Sequence, residues 1–81
     1  MKVFNLKYDN KLKEIRARHG VSQEQIAKFL GIGVGNYRKK EKKEAQFKEK
    51  EMYLCVFFFN YFYGEMFMLD DLFSYLVNVT E

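Results

Sequence analysis

The sequence predicts an all-α domain of five helices, with a short strand or extended arm ahead of the first. Three observations predict it. Apolar residues recur three to four positions apart through residues 12–41, the spacing of one helical face. Gly20, Gly31 and Gly64 each fall just past such a run, where the left-handed residue that ends a helix costs glycine little. Residues 52–63 are apolar almost all round, as a packed helix is.

Each element follows in order. Residues 1–8 alternate weakly, with Phe4, Leu6 and Tyr8 on one side and Val3, Asn5 and Lys7 on the other, which suits a strand or an arm. Asp9 or Asn10 is suited to cap the first helix, whose apolar face holds Leu12, Ile15 and His19. Gly20 stops it. Ser22 and Gln25 make a capping-box pair at the start of a second helix carrying Ile26, Ala27, Phe29 and Leu30. Gly31 ends that helix and Ile32 plugs the turn. A third helix is expected from about Val34 to Glu41 with Tyr37 inward. Gly33 suits its cap, whereas Gly35 costs roughly 1 kcal/mol relative to alanine inside a helix. Residues 38–51 are highly charged, with an exposed connection among them and Phe47 as their one apolar anchor. The fourth helix takes residues 52–63, Gly64 punctuates, and a last helix is expected over Leu69–Leu76.

Length and charge narrow the function. Eighty-one residues make one domain. All 14 Lys and Arg lie within residues 1–50, whereas residues 52–81 carry only acids: Glu65, Asp70, Asp71 and Glu81. Ten of the 15 aromatic residues fall after residue 51. A basic first half suits a polyanion, and an acidic, aromatic second half suits a core or a protein contact. The single cysteine, Cys55, forms no internal disulfide and has no His or Cys at metal spacing, which points to a buried structural role in a reducing compartment. The opening residues lack the apolar run of a secretory signal, so a cytoplasmic protein is expected. The run 52–63 is too short for a membrane span of about 20 residues. His19, the one histidine, reads as a helix-end residue rather than a catalyst or ligand. No catalytic set and no phosphate-cradling glycine loop is present, so an enzyme, a cofactor, a metal and a small-molecule substrate are not expected.

The stretch from Leu12 to Glu41 resembles the lambda-repressor/Cro-type (XRE) helix-turn-helix family. The residues that carry the likeness are Leu12, Ile15, Arg16, Gly20, Ser22, Gln23, Ile26, Ala27, Leu30, Gly31, Ile32, Tyr37 and Glu41. Their spacing has a physical reason. Two helices crossing steeply need a small residue where they touch, Ala27, and a glycine in the turn, Gly31. Apolar residues at Ile26, Leu30, Ile32 and Tyr37 seal the crossing. The match is strong over residues 10–43 and extends weakly to Phe73.

The resemblance implies a small transcriptional regulator, repressor-like and of phage or mobile-element type, that binds double-stranded DNA. It implies that Ser22 and Gln23 lie at a phosphate contact beside a helix N-terminus, with the third helix in the major groove. Val34, Gly35, Asn36, Arg38 and Lys39 then occupy or adjoin groove-facing positions. Arg38 or Lys39 suits guanine, Asn36 adenine or phosphate, and Val34 a thymine methyl. Lys40, Lys42 and Lys43 are expected on phosphates. Arg16 and Glu41 match positions that form a structural salt bridge between the first and third helices. Family members commonly carry polar residues where this chain has Gly33, Val34 and Gly35, which leaves few groups for direct base reading. A helix-turn-helix that binds protein instead, such as an antirepressor or antitoxin, is the alternative these glycines favour.

The domain organisation expected is a single unit, 1–81. Residues 10–43 form the helix-turn-helix core, and aromatic C-terminal helices over 52–76 supply the core and a homodimer interface. The apolar circumference of the aromatic helix is too wide for one small domain to cover. A dimer would read two half-sites about one helical turn apart, roughly 34 Å.

Overall fold

A computed structural model describes the backbone of residues 3–80 and the side chains of residues 9–74. The elements run β1 (Val3–Asn10), α1 (Leu12–His19), α2 (Gln23–Leu30), α3 (Val34–Glu41), α4 (Glu49–Tyr63), α5 (Leu69–Leu72) and β2 (Phe73–Thr80). The domain is mostly helical, and among the described residues it carries the five expected helices plus one two-stranded antiparallel sheet. No helix among the described residues is long and apolar enough to cross a membrane.

Local chemistry sets the helix ends. Asn10 Oδ1 accepts from Leu12 N–H at 3.2 Å and so satisfies a donor of the first turn of α1. Ser22 Oγ accepts from Gln25 N–H at 3.1 Å, and Gln25 Oε1 accepts from Ser22 N–H at 2.8 Å, a closed capping box at α2. Gly31 leaves α2 at φ 76°, a left-handed conformation that strains any residue with a Cβ. That turn sends α3 back across α2, with Ala27 and Tyr37 both buried where the two helices meet.

Two expectations are corrected. The last helix was expected to run to Leu76, but it ends at Leu72 and the chain enters β2 at Phe73, whose φ of −129° and ψ of 112° are already extended. The reason is the partner waiting for it. β2 pairs with β1 in register from Val3 opposite Thr80 to Asn10 opposite Phe73. Lys11 N–H continues the ladder to Leu72 O at 3.0 Å. One strand thus lends the other its backbone partners, which eight residues of extended chain need more than four more residues of helix do. The fourth helix, expected over 52–63, starts three residues earlier, while the exposed connection expected within 38–51 is found over 42–48 with Phe47 buried in it. α4 starts at Glu49, and Lys40, Glu41 and Glu51 are buried.

The core lies between α1, α2, α3 and α4, where Leu12, Ile15, Ile26, Tyr37, Cys55 and Phe59 are almost wholly removed from water. Phe47 anchors the α3–α4 turn by edge contacts with Tyr37 (5.9 Å) and Phe73 (5.4 Å), so it also ties the base of the sheet to α3. Asn60 organises the chain after α4: its amide donates to Phe67 O at 3.0 Å and accepts from Phe67 N–H at 2.8 Å. His19 closes the far end of α1 on that segment. Its ring packs on Tyr63 at 5.0 Å, and its Nε2 lies 2.8 Å from Glu65, which also accepts from Arg18.

Candidate nucleic-acid interface

α3 has two faces, three to four residues apart. Tyr37, Lys40 and Glu41 turn inward. Gly35, Asn36, Arg38, Lys39 and Lys42 are exposed, and Val34 is half-buried at the start. Because the inward set fixes the helix's rotation, the outward set is presented as one surface.

Glu41 holds that rotation in place. Its carboxylate receives both arms of the Arg16 guanidinium, Nε at 2.9 Å and Nη2 at 2.7 Å. The remaining Arg16 nitrogen donates to Val21 O at 3.0 Å, so one side chain joins α1, the turn before α2, and the end of α3. Asn10 Nδ2 adds a bond to Glu41 O at 3.2 Å. Burial is the largest single influence on the Glu41 carboxyl and would raise it, but the hydrogen bonds and charge of Arg16, together with neighbouring Tyr37 and Gln23, outweigh it and hold the group below its ordinary range. The Arg16 guanidinium is in turn pushed up by the Glu41 bond. The pairing is bidentate and largely sheltered, the geometry in which an ion pair fixes orientation as well as attracting.

At the start of α2, Gln23 is half-buried and Ser22 is occupied with capping. Gln23 Oε1 accepts from Arg38 Nε at 2.9 Å, and Glu24 Oε1 accepts from Arg38 Nη2 at 3.1 Å. These contacts bring the first turn of α2 and the middle of α3 to one surface, with Arg38 held between them. Sequence reasoning placed Gln23 and Arg38 separately and missed Glu24 as their neighbour. The signal was present only in three dimensions, since Glu24 and Arg38 are 14 residues apart.

The lysines separate into three kinds. Lys39 and Lys42 are exposed at the end of α3. Lys43 is exposed in the turn that follows, where it takes a left-handed φ of 69° and pairs with Asp9, whose carboxyl it holds down. Lys40 was expected on a phosphate and is not available for one. It is 7% exposed, and its Nζ lies 2.6 Å from Glu51 Oε1 beneath the α3–α4 turn. The physical reason is the helix period: Lys40 is three residues after Tyr37 and therefore shares its inward face. Lys13 on α1, which was not singled out from the sequence, lines a shallow cavity of about 330 Å³ together with Arg16, Gln23, Glu41, Lys42 and Lys43. It therefore joins the basic surface from a different helix. A run of lysines in the sequence marked the end of α3 but gave no means of adding a residue 29 positions upstream of Lys42.

Gly33, which caps α3, and Gly35 inside its first turn leave Asn36 as the one exposed side chain of that turn. A Cβ at Gly33 or Gly35 would meet nothing within 4 Å, so neither glycine is required by packing inside the domain. Chemically, the surface offers guanidinium, ammonium and amide donors, a helix start beside them, and exposed backbone between. Such donors are the groups that phosphate oxygens and base-edge acceptors take hydrogen bonds from. Comparison with known proteins finds no matching family model, curated protein or solved structure.

Proposed function

We propose that the chain binds double-stranded DNA through α2 and α3, as a small transcriptional regulator of the lambda-repressor/Cro-like kind. The observation that carries this reading is the common surface formed by Gln23 at the start of α2 and Asn36, Arg38, Lys39 and Lys42 on the outward face of α3. In this reading α3 lies in the major groove. Asn36, Arg38 and Lys39 meet base edges or adjacent phosphates, and Lys13, Lys42 and Lys43 meet phosphates. Gln23 and the backbone donors at the start of α2 grip the flanking strand. Ser22 contributes by capping α2, and the Arg16–Glu41 pair contributes by fixing the rotation of α3.

Gly33 and Gly35 support close approach of backbone to DNA at the first turn of α3, beside the exposed Asn36 side chain. They also support the second reading, a helix-turn-helix that docks a protein on this same turn. The two differ in salt response. The test is fluorescence anisotropy of the full chain against a pool of labelled genomic fragments at two salt concentrations. Binding should weaken steeply between about 50 and 200 mM salt, because lysines and arginines displace counterions. Absence of binding at the lower salt would overturn the DNA reading and leave the protein-docking one.

A further inference from the structure

A cavity of about 510 Å³ lies between α2 and α4, and none of its lining residues belongs to the basic surface. Gln25, Lys28 and Phe29 line it from one face of α2, and Phe58, Phe62 and Tyr63 line it from α4. Phe58 is buried at the centre of an aromatic cluster. Its ring meets Phe29 at 5.1 Å, Phe62 at 5.4 Å and Tyr63 at 5.6 Å. The outer rings are held in turn: Phe29 meets Phe62 edge-on at 5.8 Å, and Tyr63 packs on His19 at 5.0 Å. The walls are therefore set before anything enters, which lowers the ordering cost of a ligand. The volume falls in the range of small-molecule sites, which are largely apolar with a few polar groups that orient the occupant.

We propose that this cavity binds an apolar monocarboxylate, its body among the four rings and its carboxylate at Lys28 and Gln25. Charge selects the anion. Grouped aromatic rings also take cations, but Lys28 is the one charged residue in the lining, and it is positive. Lys28 forms no ion pair among the described residues. The acids close to the lining in sequence are turned to other partners. Glu24, one helical turn before Lys28, pairs with Arg38, and Glu65, two residues after Tyr63, pairs with Arg18 and His19. Gln25 uses its carbonyl on Ser22 N–H at 2.8 Å, so its amide N–H groups are what it has to offer. An ammonium beside amide donors suits a carboxylate. One ammonium matches a single negative charge, and four rings match a body without polar groups. A fatty acid and an aryl acid share that chemistry.

This site does not depend on the DNA reading, and its test is made without DNA. Decanoate and naphthoate are titrated separately into the isotope-labelled full chain and followed by NMR. At least one should saturate below about 1 mM, the level of a weak but specific site. The largest shifts should fall on Gln25, Lys28, Phe29, Phe58, Phe62 and Tyr63. Tighter binding of decanoate supports a fatty acid as the occupant, and tighter binding of naphthoate an aryl acid. Lys28→Gln alters an exposed side chain and should leave the circular-dichroism spectrum unchanged. It should weaken the carboxylate by roughly two- to fivefold, the range of an exposed ion pair, and leave uncharged naphthamide as it was. Phe62→Ala, also at an exposed position, should weaken naphthoate and naphthamide alike. Failure of both carboxylates to saturate would overturn the proposal. So would an unaltered carboxylate affinity in Lys28→Gln, or largest shifts at Lys13, Lys42 and Lys43, which would mean general anion attraction. Tighter binding of the cationic naphthylmethylamine than of naphthoate would overturn the choice of an anion. Cavity signals that move with protein concentration and with neither carboxylate would make a second copy the occupant and overturn it as well.

Discussion

Lys40 and Glu51 lock the end of α3 to the first turn of α4 through a 2.6 Å contact between Nζ and Oε1, with both side chains under one-tenth exposed. Glu51 also accepts from Lys48 N–H at 2.9 Å, so the same carboxylate caps α4. The lysine that charge counting assigns to DNA is thus part of the hinge that sets where α4 begins. Removing one partner strands the other in a dry place. Lys40→Ala should destabilise the domain by about 3 kcal/mol. Lys40→Met combined with Glu51→Met should cost far less than the sum of the singles, because no charge is then left buried. Urea unfolding of the three variants checks this. DNA affinity of the double variant should match the parent, and a loss of tenfold or more would return Lys40 to the interface.

The same chemistry sets an acid limit. Glu41 and Glu51 are both held below their ordinary value of 4.5 by Arg16 and Lys40, despite burial that pushes the other way. A carboxyl whose folded value is depressed adds stability that is fully present above the unfolded value and is lost as pH falls through the folded one. The midpoint of thermal unfolding should therefore hold steady from pH 7 to about 5. Below about pH 4.5 it should fall, continuing downward as the two carboxyls protonate. The Glu41→Gln variant should start less stable and show a shallower fall. An equal slope in parent and variant would remove Glu41 from the acid response.

Most of the scaffold was legible because it rests on local signals. Ser22 with Gln25, Gly20, Gly31 and the spacing of Ile26, Leu30 and Tyr37 each specify a cap, a turn or a face within a few residues. β2 was not legible in the same way. Tyr75, Val77 and Val79 alternate with polar Ser74 and Asn78, a strand pattern, but it follows directly on the helical Asp70-Asp71-Leu72 and its partner lies about 70 residues away at the other end of the chain. The site divides along the same line. Which α3 residues face out follows from the position of Tyr37 and the helix period, and applying that period strictly would have turned Lys40 inward. The bridging of Gln23 and Glu24 by Arg38, and the arrival of Lys13 from α1, depend on the α1–α2–α3 crossing and have no local signature.

Gly35 separates stability from function. Its φ is not positive, and a Cβ there would meet nothing within 4 Å. Alanine at this helical, exposed position should therefore stabilise the domain by about 0.5–1 kcal/mol, mostly by restricting the unfolded chain. If α3 lies in the major groove, the added methyl stands where backbone approaches DNA, so Gly35→Ala should bind DNA more weakly although it is more stable. Paired urea and anisotropy measurements on this one variant decide it. Higher stability with unchanged affinity would place Gly35 away from the contact.

Arg38 is already engaged inside the domain, and if α3 meets DNA its two partners differ in what they do to binding. Gln23 is neutral and orients the guanidinium, whereas the exposed Glu24 carboxylate competes with a phosphate or guanine for the same nitrogens. Glu24→Gln removes the competitor and a negative charge from the rim. Given that the Arg38–Glu24 pair is about half exposed, its contribution is limited to roughly 0.5–1 kcal/mol, a two- to fivefold gain in affinity for DNA. Arg38→Ala should weaken binding and, in combination with Glu24→Gln, should erase most of that gain, because the glutamate acts largely through the arginine. Anisotropy titrations of the parent, the two single variants and the double variant at one salt concentration close the cycle. A Glu24→Gln gain that survives undiminished in the Arg38→Ala background would show that Glu24 acts as a general repulsive charge and that Arg38 is not the group it restrains.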